Sequence, residues 1–430
     1  MATHVKVDSS PMPVNPASPA SPTLAFDVAD LWPAGPKDAA FQVRQNAVGN
    51  FIANHSIIVG QSRSGKTSAA RRLIEEIIAW TGARVVILDP NADFRWLTTL
   101  DAEKSKNQDT FAKRWGELRD NIFVASQDTE AWGIQWGRLS QEEMAAFLRL
   151  TPSEEFAEYR HLDRHIKYHQ KLNAQKSGAT ALEYSIDDFI KDGYFEVAVG
   201  DELERYRLRL LELSKRRVWW SSKYTKDLDA LIESDSKAVV VDLSSDDEQV
   251  RMITAARALE KLWRLGLERR PEFIKNPQES NWTGTVVVMD EAHLFAPPDT
   301  TDPQKRLVSE RIQRFADQGK KLNLYLLVLT QQPGKLHPTV LAEFNNRIVL
   351  RVNEKRSLKV MEEMYGGLPG RYDGALTFAP GEALVEGDLL SDEIPPPAVP
   401  RGIRFKEGRT KAGGGTPPAT WAIPWFDQQK

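Results

Sequence analysis

The chain has 430 residues, enough for one large domain or two ordinary ones. A net charge of −3 excludes a molecule whose whole surface attracts nucleic acid, so any such contact must come from a local patch or from a pore formed by assembly. The absence of cysteine excludes disulfides, thiolate zinc sites and cysteine nucleophiles, and fits a cytoplasmic protein. No apolar run approaches the ~20 residues that span a bilayer, and Met1-Ala-Thr-His-Val-Lys6 lacks the apolar stretch of a signal peptide, so no membrane partner is expected.

Residues 1–40 are rich in Pro, Ala and Ser and read as a flexible arm. An apolar strand, His55-Ser-Ile-Ile-Val59, then enters Gly60-Gln61-Ser62-Arg63-Ser64-Gly65-Lys66-Thr67, and a helix-forming run starts at Ser68. This is the G-x-x-x-x-G-K-T phosphate-binding loop in its proper setting. The glycines let backbone N–H groups face the phosphates, and the helix N-terminus adds positive potential. Lys66 is expected to reach the β- and γ-phosphates and Thr67 to hold Mg²⁺. Arg84-Val-Val-Ile-Leu88 is the second strand and ends in Asp89-Pro-Asn91-Ala-Asp93-Phe94.

Residues 101–235 are charged and mostly helical by period, and read as a helical insertion between core strands. Within it, His161, His165 and His169 share one helix face. The first and last are about 12 Å apart along a helix axis, too far for all three to bind one zinc ion, so a solvated polar face is the expected reading. A basic run, Arg205, Arg207, Arg209, Lys215, Arg216 and Arg217, precedes Trp219, Trp220 and Tyr224. It fits phosphate contacts with flanking aromatics, and equally fits ion pairs with the interleaved Glu202, Glu204 and Glu212.

Strand character returns at Ala238-Val-Val-Val-Asp242, followed by a long amphipathic helix over residues 247–269. Thr285-Val-Val-Val-Met289 ends in Asp290-Glu291-Ala-His293, an acidic pair at the carboxyl end of a buried strand. Asp290 is expected to hold Mg²⁺ and Glu291 to polarise the attacking water of ATP hydrolysis. The Asp-Glu-Ala-His string also occurs in superfamily 2 helicases, but no second RecA-like domain follows it. Further strands cover residues 322–330, ending in Thr330-Gln331-Gln332-Pro333, and 347–352. A glutamine at that strand end lies next to the P-loop in RecA-like folds, where it senses the γ-phosphate. From Ser391 Pro and Gly dominate, which reads as a C-terminal arm over 391–430 with Trp421 and Trp425 as anchors on a neighbouring subunit. The fold class is therefore α/β: a RecA-like P-loop NTPase core (41–100 and 236–390) with a mostly parallel sheet covered by helices.

Together the P-loop, Ile87-Leu-Asp-Pro-Asn-Ala-Asp93, Val239-Val-Val-Asp-Leu-Ser244, Met289-Asp-Glu-Ala-His-Leu-Phe-Ala-Pro-Pro298, Gly319-Lys-Lys321, Thr330-Gln-Gln-Pro333, Phe344-Asn-Asn-Arg-Ile-Val-Leu-Arg-Val352 and Pro380-Gly-Glu-Ala-Leu-Val385 resemble the HerA family of the HerA/FtsK class of motors. The resemblance covers about residues 45–390. It implies a homohexameric ring that threads double-stranded DNA and docks a nuclease or other effector. It also permits a scaffold role, an ATP-stabilised ring that activates an effector in antiviral defence. On matching positions it assigns Lys66 and Thr67 to ATP and Mg²⁺, Asp290 and Glu291 to Mg²⁺ and water, and Gln331 or Gln332 to the sensor. Archaeal members carry an N-terminal β-barrel, of which this sequence shows no sign. Where the family has Gly-Arg-Lys this chain has Gly319-Lys320-Lys321, so the arginine finger falls to Arg314 first, then Lys320, Arg347 and Arg351.

Overall fold

The computed structural model describes residues 25–31, 40–44, 50–104, 109–126, 132–173, 182–219, 226–244, 247–275, 284–364, 369–390 and 400–412. Eleven strands form one sheet: β1 (Ala25–Leu31), β2 (Ala40–Arg44), β3 (Ser56–Val59), β4 (Arg84–Asp89), β5 (Ile122–Ala125), β6 (Ala238–Asp242), β7 (Thr285–Met289), β8 (Leu324–Thr330), β9 (Asn346–Leu350), β10 (Glu382–Glu386) and β11 (Arg401–Phe405). Their spatial order is β2-β1-β11-β10-β9-β3-β8-β7-β4-β6-β5. The stretch from β9 to β5 is parallel throughout, and β10, β11, β1 and β2 extend it antiparallel.

The near-continuous apolar strands are buried on both faces, as a covered parallel sheet requires. Alternate residues part to opposite sides. Ile58, Val85, Ile87, Val286, Leu327 and Ile348 pack with Leu73, Ile74, Ile77 and Ile78 of α1 (Lys66–Trp80). Ile57, Val59, Val86, Val239 and Val328 face the other layer. That layer holds the insertion helices α2 (Gln141–Phe147), α3 (Phe156–Leu172), α4 (Leu203–Ser214) and α5 (Leu228–Glu233), together with α6 (Glu248–Lys275) and α7 (Pro303–Gln318).

Three sequence-based boundaries move. β1 lies inside the span read as an N-terminal arm, and pairs with β2 and β11. β5 is the far edge strand of the sheet, so the insertion starts after it rather than at 101. β11, inside the span read as a C-terminal arm, pairs with β10, and the residues after it dock on α1. There the amide of Arg409 and the amide and hydroxyl of Thr410 donate to Glu75 at 2.8 Å each. The Arg409 guanidinium pairs with Glu76 at 2.5 Å and lies over the Phe111 ring. Trp220, Tyr224, Trp421 and Trp425 lie outside the described residues.

The histidine stripe is a second correction. His161, His165 and His169 are buried, not solvated. His161 meets the Tyr194 hydroxyl at 3.1 Å, and His165 meets that of Tyr206 at 3.0 Å. His165 and His169 share the Asp192 carboxylate at 3.1 and 2.9 Å. Against the burial that would raise it, these bonds hold Asp192 down to about 2. Among the described residues no group of three or more His, Asp or Glu side chains is placed to hold a metal ion. The basic run resolves toward ion pairing: Arg205 with Glu202, Arg207 with Glu204 and Arg216 with Glu212, while Trp219 is a core residue against Trp136.

Candidate nucleotide site

β3 runs in the middle of the sheet between β9 and β8, and its carboxyl end opens into the P-loop. The loop is tied to both neighbours. The Gly60 amide donates to the Thr330 carbonyl at 3.2 Å, and that of Gln61 to the Arg351 carbonyl at 2.9 Å. Gly65, with φ +94°, turns the chain into α1; a Cβ there would stand 2.8 Å from the amide nitrogen of Gly381, which itself donates to the Ser64 carbonyl. No acidic residue occupies the first turn of α1, as an anion-binding helix start requires.

Asp290 and Glu291 follow β7, and β8 lies between β7 and β3. Lys66, itself buried, pairs with Glu291 at 2.7 Å and stands 3.8 Å from Asp290. Glu291 adopts a left-handed backbone, φ 45° and ψ 47°, uncommon for a residue with a side chain. Gln331 closes the arrangement from the end of β8: its amide nitrogen donates to the same Glu291 oxygen at 2.5 Å, and its amide oxygen accepts from Ser62 at 3.2 Å. Burial pushes the Glu291 carboxyl up, but the charge and hydrogen bond of Lys66, the Gln331 hydrogen bond and the neighbouring His293 together outweigh it and hold the group below its ordinary range. Asp290 goes the other way. Its burial and the neighbouring Glu291 charge raise it more than Lys66 lowers it.

Both glutamines line an adjoining cleft with Gln61, Lys335 and Asn353, but of the two only Gln331 touches the acidic pair. Of the cationic candidates, Arg314 pairs with Glu260 at 2.8 Å and lies over the Trp263 ring, Lys320 donates to Asn345 at 2.7 Å, and Arg347 pairs with Glu386 at 2.9 Å. Arg351 reaches the Arg63 carbonyl on the P-loop at 3.4 Å. Two residues given no role from the sequence also belong here. Asn91 donates to Asp290 at 2.9 Å, and Asp93 accepts from the Thr67 hydroxyl at 3.4 Å. The strand-end string Asp89-Pro-Asn-Ala-Asp93 was the signal for them, because β4 ends beside β7.

The residues present suit a magnesium nucleotide. The Ser64 hydroxyl and Asp290 Oδ1 are buried without a hydrogen-bond partner, a buried ammonium stands at the helix start, and a threonine hydroxyl follows it. A central strand feeding this loop, with an acidic pair and a glutamine converging on its lysine, defines a RecA-like P-loop ATPase. The chain belongs to the HerA helicase family, whose central domain ("Helicase HerA, central domain") matches residues 43–261. It is 23% identical over 409 residues to the DNA double-strand break repair helicase HerA of Pyrococcus furiosus, covering 86% of this chain and 68% of that one. Among solved structures it is similar to VirB4 of Thermoanaerobacter pseudethanolicus, with a TM-score of 0.55 and 16% identity over 90% of this chain and 97% of that one. The plasmid coupling protein TrwB in complex with the GTP analogue GDPNP gives 0.53 and 14% over 93% and 98%. Identities this low show a shared fold.

Proposed function

We propose that this ATPase is a ring-forming motor that translocates double-stranded DNA, with ATP held by Gly60 through Ser68 and Mg²⁺ by Thr67 and Asp290. The observation that carries the hydrolytic part is the meeting of Lys66, Glu291 and Gln331 within hydrogen-bonding distance at three adjacent strand ends. Mg²⁺, when bound, neutralises charge that develops on the transferred phosphoryl group. Lys66 exchanges Glu291 for phosphate oxygens, which frees the Glu291 carboxylate to accept a proton from water. Because Lys66 leaves, Glu291 becomes a stronger base as the nucleotide enters. Gln331 keeps its grip on Glu291 and, through Ser62, on the loop that surrounds the phosphates. The names of the HerA relatives support DNA as the track.

The cation supplied from a neighbouring subunit is Arg314, Lys320, Arg347 or Arg351 in this reading, and each must leave the partner it holds within its own chain. Ring assembly into six subunits and docking of a nuclease or other effector are the finer parts of the proposal. A nucleotide-stabilised scaffold for such an effector in antiviral defence is the second reading, supported by the net charge of −3. Among the described residues no helix is long and apolar enough to cross a membrane.

The test is wild type against Glu291→Gln and Lys66→Ala. Glu291→Gln is expected to bind nucleotide and to lose at least about a hundredfold in turnover, the usual reach of a positioned base. Lys66→Ala is expected to lose nucleotide binding. Mass photometry with ATP should show a sixfold mass, and duplex DNA should stimulate hydrolysis. A ring without DNA stimulation favours the scaffold, and a monomer in every condition rejects both.

A further inference from the structure

We propose that the turn after β4 is the third wall of the metal site, with Asp93 as a positioning residue that holds Thr67 and accepts from a magnesium-bound water, and Asn91 as the residue that orients Asp290. The inference rests on the reading of Thr67 and Asp290 as the metal-holding pair, and extends it to two side chains of the string Asp89-Pro-Asn-Ala-Asp93 to which the sequence assigned no role.

The turn is built to be rigid. Asp89, at the end of β4, is fully buried, and its carboxylate accepts the backbone amides of Asn91 at 3.2 Å, Asp93 at 3.1 Å and Phe94 at 2.7 Å. Both of its oxygens are thereby committed to holding the backbone. Ala92 takes a left-handed conformation, φ 58°, which sharpens the bend. From the opposite side Arg71 of α1 donates to the Asp93 carbonyl at 2.9 Å. A short segment pinned at both ends therefore presents two polar side chains to the site at fixed positions.

Each of the two meets a different metal-holding residue. Asn91 donates its amide to one oxygen of Asp290, and the other oxygen is the buried one with no hydrogen-bond partner. Such a bond fixes the carboxylate plane and leaves the second oxygen for a cation. Asp93 accepts the Thr67 hydroxyl proton, so that the hydroxyl lone pairs are turned outward. Mg²⁺ keeps several waters and takes only one or two protein carboxylates, so an acceptor beside the site has a water to hold. Outer partners of this kind are worth about 10- to 100-fold in metal affinity.

Isothermal titration of ADP into the full chain, in EDTA and in Mg²⁺, separates the possibilities. Wild type is expected to bind ADP more tightly in Mg²⁺. Asp93→Asn should leave the affinity in EDTA unchanged and cut the magnesium-dependent gain about tenfold. Asp93→Glu should restore most of that gain, which a merely structural role would not predict. Asn91→Ala leaves the Thr67 contact intact, should also lose part of the gain, and gives the same readout if Asp93→Asn fails to fold. The proposal is overturned if Thr67→Ala loses the gain while Asp93→Asn and Asn91→Ala keep it, or if Asp93→Asn weakens binding equally in EDTA. A wild type with no magnesium-dependent gain overturns the underlying metal reading as well.

Discussion

Gln331 and Gln332 are neighbours of the same type, yet only one of them reaches the acidic pair. Both line the cleft beside Lys335, but Gln331 also bridges Ser62 and Glu291. Gln331→Ala is therefore expected to lower kcat by 10- to 100-fold with little change in nucleotide affinity, whereas Gln332→Ala should stay within about threefold; steady-state hydrolysis decides it. The sequence could not separate the pair, because both lie past Thr330, the last residue of β8, where strand alternation no longer assigns faces. Lys66, Thr67, Asp290 and Glu291 were legible because phosphate chemistry requires those types in that order. Asn91 and Asp93 were visible as a polar strand end, but their partners are Asp290, just past β7, and Thr67, in the first turn of α1, and only the sheet order brings them close. The histidine stripe was misread for a related reason. A helix face of His looks the same whether it meets water or Tyr194, Tyr206 and Asp192, which arrive from later in the chain.

Strands rich in Val and Ile and buried on both faces announced themselves, as β3, β4, β6, β7 and β8 did. β1, β5 and β11 did not. β1 carries Asp27 and Asp30 and lies between Pro-rich stretches, β5 follows the charged run Glu117-Leu-Arg-Asp120, and β11 reads Arg-Gly-Ile-Arg-Phe. Their strand character is conferred by pairing at the sheet edges rather than by composition. One element carries a pH signature. His55, just ahead of β3, donates from Nε2 to the Ala316 carbonyl at 3.0 Å and accepts the Leu326 amide on Nδ1 at 2.9 Å. Burial first, and then the Lys320 charge, push its pKa from the ordinary 6.5 down to about 3. Below pH 6.5 the unfolded chain takes a proton that the folded one refuses. Stability is therefore lost as pH falls from about 6.5 toward about 3, by up to about 1.4 kcal/mol per pH unit. Denaturant titration across that window should show a shallower acid slope for His55→Gln than for wild type, even though the variant starts less stable.

At the scale of the whole molecule, the insertion is joined to the core through a buried ionic cluster. Glu143 of α2 meets Arg257 of α6 at 3.2 Å and Arg311 of α7 at 3.1 Å, Arg257 also pairs with Asp229 of α5, and Arg311 donates to the Ala256 carbonyl at 2.6 Å. Glu143 also closes the capping box of its own helix with Ser140. Glu143→Ala would leave two guanidiniums buried with fewer partners, at a cost of about 3–5 kcal/mol in urea unfolding. Because the cluster lies away from the residues around Lys66, the folded variant should retain nucleotide binding. The helices of the insertion were readable from their period. The joint was not, because its charges are individually ordinary and only the packing of four elements makes them a set.

The docking of Arg409 and Thr410 on Glu75 and Glu76 also bears on synthesis. The helix that bears the phosphate-binding lysine leaves the ribosome before the segment after β11, and its inward Glu75 then waits for donors encoded more than three hundred residues later. Until the segment after β11 emerges, Glu75 lacks the three donors that Arg409 and Thr410 bring to it, whereas Glu76 already has Arg72 one turn earlier, so the helix settles against the sheet only at the cost of leaving the Glu75 hydrogen bonds unmade. The nucleotide site is thus completed after elongation has passed Thr410. A ribosome-bound nascent chain halted before β11 should fail to retain ATP, and the same chain released at full length should bind it.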